Sequence, residues 1–394
     1  MEWLTRAADL AWPMAIAAAW VLGELASRAT RLPRISFYVL VGFLLSHTQV
    51  GLLPRPSQSA MLLVADVALG LILFEFGHRI NLSWLRVNQW VGASGLLAAV
   101  TTFFAVQWLG GTFGMDPLPG ALLAALAMAT SPAEVLRVVN EQRGSGQVTE
   151  RALHLAALNG VLAVFLFNVV LGMWSFQTSG SVSQAVSSSL LVLAVSTVLG
   201  VAFGFAVPAL LRQLGPLGSR ATIGLAIAVL LIVALAQALQ ASPVLAALTF
   251  GLTARHRRVA LDPAQRNFGA LGDLLTVLLF VFVGATLAWS RVAQGLWLAL
   301  SLVGVRLLTQ VGATLLFARL GGISWRKGVL TGVALSPLSA LVVVLLVHAR
   351  ARGIDLMDQL APLAGATLIL GLAGPMLTQL ALRWAHESHP SSEP

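Results

Sequence analysis

The sequence predicts an all-α membrane protein of about thirteen transmembrane helices, and three observations predict it. Of 394 residues, 58% are hydrophobic and 10% charged, with a mean hydropathy of +0.87, a balance that belongs to chains embedded in lipid. The apolar runs are long and unbroken rather than alternating, which excludes the barrel pattern and leaves helices as the way to satisfy backbone groups where there is no water. The short segments between runs alternate in arginine content, as loops on opposite sides of a bilayer do.

The runs place helices at 10–27, 35–53, 60–80, 89–110, 119–140, 150–174, 185–212, 221–239, 242–255, 267–289, 292–319, 326–349 and 359–384. All but one of the 24 cations are arginine. With the loop holding Arg28, Arg31 and Arg34 assigned to the cytoplasm, eighteen cations fall inside, five fall outside, and Arg306 alone lies within a helix. The positive-inside rule then sets an external N-terminus and a cytoplasmic C-terminus in an inner (plasma) membrane, with an odd number of spans. The first run reads as a retained helix, because Asp9 lies beside Arg6 and the basic loop follows the run instead of preceding it.

These spans form one transmembrane domain over 1–384: a first repeat at about 10–174, a linking helix at about 185–212 and a second repeat at about 221–384. A short cytoplasmic tail follows over 385–394, and its polar "HESHPSSEP" is expected to be disordered.

Several function classes fall away. There is no cysteine, and the seven histidines show no H-x-x-H or H-E-x-x-H spacing, so neither a resident metal nor a cofactor is expected. The net charge of +9 is accounted for by the loops, and no nucleic-acid partner is expected. No Ser-His, paired-Asp or zinc arrangement converges in the membrane, so the chain is not read as an enzyme.

Two helices carry a proline deep inside. "MATSPAEVLRV" holds Ser131 and Pro132, and "GVALSPLSALVVV" holds Ser336 and Pro337. Each proline removes a backbone hydrogen bond and crowds the preceding turn, so each helix should kink or unwind there. With six spans on either side of a linking seventh, these are helices five and twelve, equivalent places in two oppositely oriented halves. Matched interruptions in inverted halves mark a secondary transporter with its site at the midplane.

The ionisable groups within spans are Glu24, Asp66, Glu75, Glu134, Asp273 and Arg306. Each costs about 2.5 to 3.5 kcal/mol against lipid and should face the bundle interior or a water-filled cavity. Glu24, Asp66 and Asp273 lie nearer helix ends, where they can reach water and serve structure. Glu75, in "LILFEFGHRI", is a boundary residue or a functional one. Arg306, in "LSLVGVRLLTQ", needs a counter-charge, and either a plain ion pair with Glu134 or Glu75 or a transport role accounts for it.

The sixth run, "HLAALNGVLAVFLFN", is interrupted by Asn159 and Gly160. In water this pair would mark a turn; in an apolar run it stays helical, and Asn159 seeks polar partners, most simply Thr130 or the opened backbone.

Through "RLPRISFYVLVGFLL", "LILFEFG", "ATSPAEVLRVV", "LNGVLAVFLFNVVL", Arg306 and "LSPLSAL", the chain resembles the monovalent cation:proton antiporter superfamily, in its Na+/H+ exchanger branch with an Asn-Asp pair in helix six. The resemblance implies an inverted repeat with two broken helices crossing at the midplane, a homodimer in the lipid membrane, and exchange of Na+ or K+ for H+. It implies that Thr130 is an unwound-helix contact, that Asn159 is the Asn of the pair and that Glu75 is an acid near the ion path. The family's aspartate falls at position 160, where this sequence has glycine. Glycine neither charges nor titrates, so exchange needs another acid, for which Glu134 is the candidate; Glu134 could equally be a salt-bridge partner of Arg306, and Gly160 a change that holds one state. The competing readings are an uncoupled cation or solute uniporter and a non-transporting membrane sensor of the same fold.

Overall fold

Helix-forming apolar runs, cut by proline, glycine and short polar segments, become seventeen helical segments and no strand among the described residues of the computed structural model, which are 2–54, 58–175, 182–213, 219–256, 269–351 and 360–389. In order these are α1 (Glu2–Thr30), α2 (Arg34–Leu45), α3 (Gln58–Arg79), α4 (Leu82–Val87), α5 (Gln89–Thr112), α6 (Pro117–Ala127), α7 (Pro132–Glu141), α8 (Gln147–Ser175) and α9 (Val182–Gln213). Then follow α10 (Ser219–Ala238), α11 (Pro243–His256), α12 (Gly269–Thr286), α13 (Trp289–Gln294), α14 (Leu296–Leu316), α15 (Trp325–Ala334), α16 (Ala340–Ala351) and α17 (Ala361–Trp384). By length and composition six of these helices suffice to cross a membrane.

Every expected run is helical, and the two proline-bearing runs are each cut in two, as α6/α7 and α15/α16. Two expectations are corrected. The second helix stops at Leu45, because Ser46, Thr48 and Gln49 bond to one another and Gly51 turns the chain at φ 77°. The run expected over 292–319 is broken at Gly295, where an added Cβ would lie 2.6 Å from Pro362 Cα, so the chain bends where it passes closest to the start of α17. Arg55 and Arg352, and three of the four cations in the loop after α11, lie outside the described residues.

The chain divides into two compact units. The first comprises 1–58, 83–164 and 277–394; in it α14 packs on α5, α15 and α17, and α17 packs further on α2, α7, α13 and α15. Leu122 to Ala129, through α6 and into its break, are at most 1% exposed. The second unit comprises 59–82 and 165–276 and packs α9, α10 and α11 around Leu71, Phe74, Val229, Ile232 and Phe250. Within the first unit, Gly42 and Gly284 each bring a helix against a backbone carbonyl, of Val281 and Val39 respectively, the small-residue packing that close membrane helices use.

The end of the chain corrects a third expectation, since His386 to His389 are docked and not free. Glu387, 4% exposed, accepts from the amides of Val148 and Thr149 at 3.0 and 2.9 Å and from Thr149 Oγ1 at 3.0 Å, and pairs with Lys327 Nζ at 3.4 Å. A carboxylate here answers the unsatisfied amides and positive pole at the start of α8. The amide of His389 donates to Gln142 O at 2.8 Å, and residues 390–394 lie outside the described residues.

Candidate functional site

At the two breaks the chain runs extended, and the two extended pieces pair. Thr130 and Leu338 form an antiparallel bridge, the Ser131 amide donates to Pro337 O at 3.0 Å, and the Ser339 amide donates to Ala129 O at 3.3 Å. Ser131, Pro132, Ser336 and Pro337 lie at this crossing. Proline explains why it forms: neither Pro132 nor Pro337 can donate, and each begins or precedes a new half-helix whose first turn needs no such donor. Ser131 caps α7 by accepting from the Glu134 amide at 3.3 Å, and Ser339 Oγ accepts from the Leu341 amide at 3.2 Å at the start of α16.

A crossing of two interrupted helices leaves two C-terminal ends whose carbonyls have no partner within their own helix. Arg306, 1% exposed on α14, satisfies them. Its Nη1 donates to Ala127 O at 3.0 Å, while Nη2 reaches Pro337 O at 3.0 Å, Leu335 O at 3.1 Å, Ala129 O at 3.2 Å and Thr130 Oγ1 at 3.3 Å. One cation thus sits at the negative poles of α6 and α15 together. Thr378 of α17 completes the set, its hydroxyl donating to Ala334 O at 3.0 Å. The expected ion pair with Glu134 does not form: no carboxylate lies within 4 Å of Arg306 among the described residues, and four carbonyls hold the guanidinium instead. The counter-charge argument missed this because helix-end carbonyls are invisible until the breaks are placed in space.

Arg306 can only donate, and that sets the direction of each hydrogen bond it makes. Thr130 Oγ1 accepts from Arg306 and donates to Leu335 O at 3.4 Å, and Asn159 of α8 presents its amide nitrogen to Thr130, at 3.1 Å. The same nitrogen donates to Gln310 Oε1 at 3.5 Å. Two atoms are left over, Asn159 Oδ1 and Gln310 Nε2, and neither has a partner among the described residues. Glu134, 2% exposed in the first turn of α7, likewise has Oε2 without a partner.

Gly160 is buried, yet an added Cβ would meet nothing nearer than Pro132 Cγ at 4.0 Å. Close packing therefore does not require glycine there, in contrast to Gly42. Glu75 lies buried on α3 in the second unit. Of the acids read as structural, Glu24 pairs with Arg28 and Arg34 at 2.9 and 3.0 Å, and Asp273 is exposed. Asp66 departs from the expectation of reaching water: it is 3% exposed and accepts from Gln237 Nε2 at 2.5 Å. Sequence reasoning missed Gln310 and Thr378; the spacing of Gln310 one turn beyond Arg306 was the available signal.

Interrupted helices that cross through extended segments, with a buried cation at their carbonyl ends and amide and carboxyl groups beside them, define a secondary transporter embedded in the membrane as a multi-pass protein. The model of the sodium/hydrogen exchanger transmembrane family matches residues 14–384, and the chain belongs to that family. This is a family of transporters and not of enzymes. Among solved structures, the chain is similar to the sodium proton antiporter MjNhaP1 from Methanocaldococcus jannaschii at pH 8, with a TM-score of 0.68, 17% identity and 98% of each chain covered. An electron-microscopy structure of MjNhaP1 matches with a TM-score of 0.70 and 19% identity over 94% of this chain and 95% of that one. These likenesses establish the shared fold.

Proposed function

We propose that the chain exchanges a monovalent cation, Na+ or K+, for H+, with Glu134 as the group that alternates between them. The observation that carries this is the pair of buried acceptor oxygens, Asn159 Oδ1 and Glu134 Oε2, that no donor among the described residues satisfies. A buried acceptor without a donor costs about 1 to 3 kcal/mol, which a dehydrated cation or a proton offsets. Membership of the sodium/hydrogen exchanger family and the fold shared with an antiporter support the same reading. Thr130 and Arg306 hold the crossing and aim Asn159, while Glu75 is an acid that the resemblance puts near the ion path. The transported ions are cargo, and no resident cofactor or metal is part of the mechanism. The reading carries the homodimer that the resemblance implies, in the inner membrane, and the distribution of arginines between loops supports an N-terminus outside.

Gly160 favours a second reading, uncoupled movement of cation or solute, because the position that bears an aspartate in the resembling branch cannot titrate here. A proton-flux assay in proteoliposomes, driven by Na+ and by K+, separates the two. The chain as it stands should exchange, and Glu134→Gln should abolish the pH dependence of exchange. Exchange that persists unchanged in Glu134→Gln overturns the role of Glu134; cation flux insensitive to a pH gradient establishes the uncoupled reading, and exchange that appears only in Gly160→Asp shows that the chain as it stands is a disabled or repurposed member.

A further inference from the structure

On α14, Arg306 and Gln310 are one turn apart, and both line a partly open cavity of about 20 Å³ together with Val303, Leu307, Gly332, Ser336, Leu370 and Leu377. Arg306 Nε and Gln310 Nε2 are buried and have no hydrogen-bond partner among the described residues. Both residues are 1% exposed. The remaining polar group of the lining, Ser336 Oγ, spends its proton on Val333 O at 2.5 Å. We infer that this cavity binds a small monovalent anion, of the size and chemistry of chloride or bromide, against Arg306 and Gln310.

Three features favour an anion. Both unsatisfied atoms are donors, and Arg306 Nε has no other role open to it, since a guanidinium only donates. The hydrogen bonds of the guanidinium go to neutral oxygens, no carboxylate lies within 4 Å among the described residues, and Glu134 acts on it only from farther away; a buried charge without a partner in direct contact is costly in a low-dielectric interior. The volume exceeds the roughly 10 to 15 Å³ needed for one water-sized occupant. A water would accept from the two donors and find Ser336 Oγ to take one of its own hydrogens, leaving the other toward Val303, Leu307, Leu370 and Leu377; a halide only accepts and leaves nothing unsatisfied. The site is distinct from the acceptor oxygens of Asn159 and Glu134, whose chemistry suits a cation.

The test reads stability and not transport, so its outcome is separate from that of the exchange assay. Thermal unfolding of the purified full chain in detergent is followed in chloride, bromide and gluconate at one ionic strength with one cation. Chloride and bromide should each raise Tm saturably, by about 2 °C or more relative to gluconate. Gln310→Glu places an acceptor and a negative charge against Arg306 and should abolish the halide dependence. Leu370→Phe fills the cavity without touching the network and should abolish it too, which keeps the test open if Gln310→Glu fails to fold. Equal Tm in all three salts, or an undiminished halide response in Leu370→Phe, overturns the proposal. Bromide anomalous scattering beside Gln310 would locate the ion directly, and density at bonding distance only from water overturns it equally.

Discussion

Replacing Arg306 by leucine removes the one side chain that reaches both broken helices, and the structure allows the cost to be worked carbonyl by carbonyl. Pro337 O keeps the Ser131 amide, Ala129 O keeps the Ser339 amide and Leu335 O keeps the Thr130 hydroxyl. Ala127 O loses the only donor it has from outside its helix. One orphaned buried carbonyl costs about 1 to 3 kcal/mol, and the charge-assisted bonds lost at the other three add about 1 kcal/mol each, discounted because measured membrane hydrogen bonds average about 0.6 kcal/mol. The expected loss is about 3 to 5 kcal/mol. Arg306→Lys should recover less than half, because an ammonium is a point donor that cannot span two helix ends. Reversible unfolding followed by tryptophan fluorescence measures this. The decisive comparison is Glu134→Gln: in the carbonyl clamp it leaves every contact of Arg306 in place and costs under about 1 kcal/mol, whereas a buried ion pair broken on one side costs about 3 to 5 kcal/mol. A Glu134→Gln loss equal to that of Arg306→Leu would refute the clamp.

Three further outcomes follow from particular contacts. Gly160→Ala should stabilise the chain by up to about 1 kcal/mol through helix propensity, since its Cβ meets nothing within 4.0 Å, and a lowered Tm would show that the space is already used. Gly374→Ala should destabilise by about 1 to 3 kcal/mol and lower transport, because an added Cβ would stand 2.7 Å from Pro337 Cα at the crossing; wild-type stability would mean that α17 can retreat from it. Glu387→Ala should cost about 1 to 2 kcal/mol by uncapping α8, and amide exchange at Val148 and Thr149 should quicken; unaltered protection there would dismiss the docked tail.

Much of the fold was legible because lipid removes options. With no water to satisfy the backbone, a long apolar run must be helical, and a proline within it must break it, so α6/α7 and α15/α16 could be placed from Pro132 and Pro337 alone. The docked tail was not legible, since "HESHPSSEP" is polar by composition and becomes ordered only because Glu387 meets amides of α8 that are over two hundred residues away in sequence.

The candidate site divides in the same way. That Asn159, Glu134 and Arg306 are candidates follows from polarity inside apolar runs, where burying such groups is costly, and Thr130 joins them through the resemblance. Their roles were decided by the tertiary structure. Periodicity cannot tell that Arg306 faces helix-end carbonyls in place of a carboxylate, that Asn159 joins Thr130 to Gln310, or that a Cβ at Gly160 would meet nothing nearer than 4.0 Å. What the sequence determined by itself was composition and local geometry, helices with two breaks and a few buried polar groups. Which pole, which lone pair and which cavity each group meets was set where segments distant in sequence cross, since hydrogen bonding and charge compensation depend on distance in space.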